Sequence, residues 1–139
     1  MIEGRSKITP SLCYQFGNTT KKENVMANIV RLELFKKVMQ ELPKNQEIYL
    51  DTWMYCAIAI AARDSRMQKE GLILSSGRYP IYQDNFDPFV SSVRFFEISL
   101  AELGYIIYLG FYGIDVVERG FVYPSDVVKN LNKIIKRNK

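Results

Sequence analysis

Apolar residues recur at steps of three and four through Val25, Ile29, Leu32, Phe35, Met39 and Leu42, the spacing of one helix face. Asn24 is suited to cap that helix and Pro43 to stop it. A second row, Val30, Leu34 and Val38, predicts cover on two sides. Lys44 to Glu47 reads as a polar connector and Ile48-Tyr49-Leu50 as a short extended lead-in. The next run, Trp53 to Ala62, is apolar nearly all the way round, with Asp51 or Thr52 placed to cap it. Twelve or so residues rise only about 18 Å as a helix, whereas a bilayer span takes about 20 residues. The pattern therefore predicts an axial helix wrapped on every side. Ala57, Ala59, Ala61 and Ala62 allow neighbours close, and Trp53 is expected to be a buried anchor at the entrance.

Beyond Asp64-Ser65, a short helical turn from Arg66 to Glu70 is stopped at Gly71. Leu72-Ile73-Leu74 and Tyr79-Pro80-Ile81-Tyr82 flank Ser75-Ser76-Gly77-Arg78, the signature of a small hairpin whose second strand is an edge. Asp87-Pro88 supplies a cap and a first-turn proline ahead of Phe89, Val93 and Phe96. Ser99 with Glu102 forms a capping box that opens a helix over Leu100 to Tyr112, ended by Gly110 and Gly113. Pro124-Ser125-Asp126 starts a last helix with Val127, Val128, Leu131, Ile134 and Ile135 on one stripe. The expected fold is mainly α, at the margin of α+β: about five helices around a buried central helix, with one short β-hairpin.

Composition adds exclusions. The 139-residue chain carries a net charge of +4 and no histidine. Without histidine there is no Ser-His-Asp or Cys-His nucleophile, no His-based zinc site and no imidazole switch. Two cysteines, Cys13 and Cys56, neither build a disulfide framework nor close a four-thiolate site, so a reducing, cytoplasmic setting is expected. No glycine-rich phosphate loop and no signal peptide or membrane-length apolar run is present, so no cofactor, metal or membrane partner is expected. Met1 to Arg5, containing Ile-Glu-Gly-Arg, reads as an engineered protease-site scar. Residues 6–23 read as an N-terminal arm and 24–139 as one helical domain.

Candidate chemistry is sparse. Phe89 to Ile107 can be laid on a helix-turn-helix, but the second helix offers Leu100, Ala101, Glu102, Gly104 and Tyr105, nothing that reaches bases or phosphates. Asp84, Asn85 and Asp87 match no calcium loop, and Asp87 is better explained as a cap. Asp51, Asp64, Glu97 and Glu102 could pair as a carboxylate dyad only if freed from turn and cap roles. The basic terminal helix, Lys129, Lys133, Lys136 and Arg137, with Arg78 and Tyr79 on the hairpin, forms a candidate nucleic-acid surface. Leu100 to Tyr112 has one charged residue, more apolar surface than a small domain hides beside a second all-apolar helix. Leu100, Tyr105, Tyr108, Leu109 and Tyr112 are therefore the candidate protein interface, most simply a two-fold homodimer.

Asp51-Thr52-Trp53, Cys56-Ala57, Ala61-Ala62 and Gln68-Lys69-Glu70-Gly71-Leu72, with the later Ser-capped and Pro-started helices, resemble a group of small uncharacterised bacterial and phage proteins. Ile58 and Ile60 stand where that group carries small residues. The resemblance implies one packed domain and no defined activity. The expected function is a non-enzymatic protein-interaction module, a small bacterial or phage regulatory or accessory protein that binds a protein partner or itself. The alternative is a nucleic-acid-binding regulator.

Overall fold

The computed structural model describes residues 27–139. The protease scar, the arm, Cys13 and the cap and first stripe position expected at Asn24 and Val25 lie outside them. Helix α1 (Ile29–Gln40) is opened by Asn28, whose side chain accepts from the Arg31 amide at 3.0 Å. Leu32, Phe35 and Met39 of its first stripe are buried; of the expected second row Val38 is buried and Leu34 packs partly buried against the core, while Val30 is exposed, so that row is covered except at its first position.

The axial element is shorter than its pattern. Residues 51–56 form turns and bends, and the helix, α2, is confined to Ala57–Ala62 with Cys56 in the cap position. Neither Asp51 nor Thr52 caps it. The turn is tied down instead by the Cys56 thiol donating to the Trp53 carbonyl at 3.3 Å and by Arg63 donating to the Met54 carbonyl at 2.9 Å. Turning the chain here lets Trp53 meet Phe89 edge-on, with centroids 4.9 Å apart, leaving Trp53 half-buried rather than enclosed. Ala57, Ile58, Ala59, Ala61 and Ala62 have no exposed surface and Ile60 is partly buried, so the helix is wrapped on all sides but the one Ile60 occupies. Small side chains let α1, α3 (Ser65–Lys69), α5 (Leu100–Ile107) and both strands pack against this short element.

Asp64 caps α3 through the Arg66 amide, and Gly71 follows at φ +108°, a conformation glycine adopts without a Cβ penalty. Strands β1 (Ile73–Ser75) and β2 (Tyr79–Ile81) pair antiparallel with Ile73 opposite Ile81. The expected cap at Asp87 holds: its carboxylate accepts from the Phe89 and Val90 amides ahead of α4 (Pro88–Phe96). Glu97, at φ 54°, turns the chain between α4 and α5, and its carboxylate accepts from Asn28 at 3.0 Å.

The expected helix Leu100–Tyr112 is broken. After α5 the backbone of Tyr108 is extended, and a 3-10 helix (Leu109–Tyr112) and a further helix, α6 (Ile114–Arg119), follow before α7 (Pro124–Arg137). Seven α-helices and one two-stranded sheet are thus present among the described residues, a mainly helical protein with a small hairpin. Helix α7 packs on α1 and α5 through Val127, Leu131, Ile134 and Ile135. A core of these residues, the alanines of α2 and the Phe35, Phe95 and Phe96 rings is continuous; Phe35 stacks on Phe96 at 5.3 Å. No described helix is long and apolar enough to cross a membrane.

Candidate functional site

The break after Ile107 decides which candidate interface residues reach solvent. A helix leaves its last carbonyls without partners. Here Asn130, buried on the α7 stripe, donates to the Tyr105 carbonyl at 2.7 Å and to the Phe111 carbonyl at 3.3 Å. The Tyr112 hydroxyl donates to the Ile106 carbonyl at 2.6 Å, and its removal from water raises its pKa well above the usual phenol value. Tyr105, Leu109 and Tyr112 are consequently half-buried against the core, while Leu100 and Tyr108 are exposed.

The 3-10 helix turns Phe111 outward, 48% exposed, beside Tyr108 at 52%. Both rings lie over Gly104 of α5, where an added Cβ would come within 3.1 Å of each. Phe111 is also 5.1 Å, ring to ring, from Tyr105. Gly113, at φ +105°, then swings the chain into α6, whose Ile114 and Val117 are 70% and 40% exposed. This pair lies beyond Gly113, where the apolar run from Leu100 is expected to end, and so outside the expected interface. Their three-residue spacing between Gly113 and Gly120 is the signal that marks a short helix with one exposed apolar face.

Beside the strip, a cleft of about 320 Å³ separates the 3-10 helix from α7; Phe111, Tyr112, Asp126, Lys129, Asn130 and Lys133 line it. Asp126 is engaged, accepting from Arg119 at 2.6 Å and from the Tyr123 amide at 2.8 Å. Asn130 is engaged as described. Lys129 and Lys133 are exposed and have no ion-pair partner among the described residues.

Other chemistry is absorbed by structure. Glu102 completes the capping box of α5, accepts from Asn138 at 2.9 Å and lies 4.0 Å from Arg137. Asp64 and Glu41 share the Arg66 guanidinium, which holds both carboxyls below the usual carboxylate range. Asn85 accepts from the Asp87 amide, and no group of three metal-ligating side chains occurs among the described residues. Desolvation pushes the Cys56 thiol up to about 11, so at neutral pH it is protonated and a poor nucleophile. Arg31 lies 4.4 Å over Phe95 and donates to its carbonyl, a structural role.

The candidate nucleic-acid residues are divided. Arg78 and Tyr79 belong to the hairpin, which packs on α2 and α4; Lys129, Lys133, Lys136 and Arg137 belong to α7, which packs on α1 and α5. The α4-turn-α5 corner has helix-turn-helix order, yet no cation lies on α5.

Fold and site define a mainly helical protein with a small hairpin and an exposed aromatic and aliphatic strip beside a basic cleft. No family model, curated protein or solved structure matches this chain.

Proposed function

We propose that this protein works as a protein-interaction module, through the strip of Tyr108, Phe111, Ile114 and Val117 with Leu100, Tyr105, Leu109 and Tyr112 supporting it, and not as an enzyme. The observation that carries this reading is the run of exposed apolar side chains on consecutive elements, held by a buried asparagine and a buried tyrosine hydroxyl. Single exposed apolar residues are normal on a protein, whereas a contiguous aromatic and aliphatic patch fits a surface that a partner covers. Tyrosine and phenylalanine are enriched at the centres of such contacts.

Nucleic-acid binding through α7 is the second reading, supported by exposed Lys129, Lys133 and Lys136. It is the weaker because Arg78, the one cation of the hairpin, sits on an element that packs on α2 and α4 and not on α7.

A photo-reactive residue at Phe111, in cells that make the protein naturally, should form a covalent adduct with a protein, itself included. The same residue at Tyr79 should form little. Adducts with nucleic acid at Lys133 and none with protein at Phe111 would contradict the reading.

A further inference from the structure

The cleft between the 3-10 helix and α7 holds two cations without a counter-charge. Lys129 and Lys133 stand four positions apart on α7, which makes them neighbours on one helix face, where like charges repel. Both line the cleft of about 320 Å³, and neither forms an ion pair among the described residues. The one carboxylate in the lining, Asp126, is already offset by Arg119. Phe111 adds a half-exposed ring to the same lining. Asn130, which also lines the cleft, is 2% exposed. Its nitrogen donates to the Tyr105 and Phe111 carbonyls, and its Oδ1 accepts from no donor among the described residues. A buried acceptor left open is costly, and a donor on a ligand relieves that cost.

Two ammonium groups, a partly open aromatic ring and a buried acceptor match a ligand with three parts: a dianionic head, a flat ring and a hydroxyl. A phosphate monoester carries about 1.5 to 2 negative charges at pH 7, whereas a carboxylate carries one and would leave a lysine unmatched. The volume lies at the small end of ligand sites, which run from about 300 to 1,000 Å³, so a single nucleotide suits it better than a dinucleotide. We propose that this cleft binds a nucleoside monophosphate, with the phosphate between Lys129 and Lys133, the base on Phe111 and a ribose hydroxyl donating to Asn130. The site needs no protein partner and stands apart from the interaction-face reading.

The test is equilibrium dialysis of the full chain against adenosine, guanosine, cytidine and uridine monophosphates in turn, at low ionic strength. At least one should bind with a Kd below about 1 mM. Its nucleoside, lacking the charge, and inorganic phosphate, lacking the ring, should each bind more than about tenfold more weakly. Lys129→Gln with Lys133→Gln should weaken the nucleotide by more than about tenfold, and Lys129→Arg with Lys133→Arg, which keeps the charge, should retain most of the affinity. Lys136→Gln, on the same helix but outside the cleft lining, should change nothing. Urea midpoints equal to the wild type's for these exposed-lysine variants would show that a loss is not misfolding. No binding of any monophosphate at about 5 mM, a nucleoside that binds as tightly as its monophosphate, or a loss in Lys136→Gln as large as in the Lys129 and Lys133 pair would each overturn the proposal. The last result would mean general attraction to the basic face of α7 and no site.

Discussion

Tyr112 shows how one side chain fixes both a helix end and a surface. Its hydroxyl satisfies the Ile106 carbonyl, and its ring backs the cleft beside Phe111. Because burial raises the pKa of Tyr112, and of Cys56 to about 11, the folded state keeps these protons to higher pH than the unfolded chain. Their stabilisation is complete below the unfolded values, about 8.5 for the thiol and 10 for the phenol, and is lost as pH climbs through the folded ones. Urea unfolding should therefore show a flat stability from neutral pH to about 8.5 and a fall above it. Tyr112→Phe should cost about 1 kcal/mol at neutral pH and flatten the part of the fall above about pH 10. Identical alkaline profiles for variant and wild type would show that the hydroxyl is not held as described. At this same scale the sequence misleads at Trp53: apolar size suggests an enclosed anchor, but the turns at 51–56 leave it half-buried on Phe89.

Element boundaries depend on polar groups that arrive from elsewhere in the chain. The caps written locally, Asp87 with Pro88 and Ser99 with Glu102, are legible because each is a short-range exchange between a side chain and the next helical turn. The end of α5 is not. Its stop is set by Asn130, 25 positions from Tyr105 in sequence, and the apolar composition of Leu100 to Tyr112 hides the extended residue at Tyr108. The available clue was Asn130 itself, a polar residue on the stripe of Val127, Leu131 and Ile134. Asn130→Ala should strand the Tyr105 and Phe111 carbonyls and cost about 2 kcal/mol in urea unfolding. It should also loosen the 3-10 helix, seen as faster amide exchange at 109–113 than in α7. An unchanged midpoint and unchanged exchange would assign the stop to the glycines alone.

At the scale of the whole molecule, periodicity revealed the mainly helical class, the hairpin and the wrapped alanine-rich helix, because burial against a shared core imposes period on each element separately. The surface was less legible. Exposed faces obey no such constraint, so the pairing of Tyr108 and Phe111 with Ile114 and Val117 emerges only once Gly113 has turned α6.

The central claim, that this strip is covered in the working protein, is tested most directly by the rate of maleimide labelling at Ile114→Cys, in a background where Cys13 is replaced by serine. Cys56, buried and protonated, contributes little. Labelling should be fast in dilute purified protein and several-fold slower at high concentration or in the native cell, while Tyr79→Cys on the hairpin labels alike throughout. Equal rates at Ile114→Cys under all of these conditions would mean that nothing covers the strip.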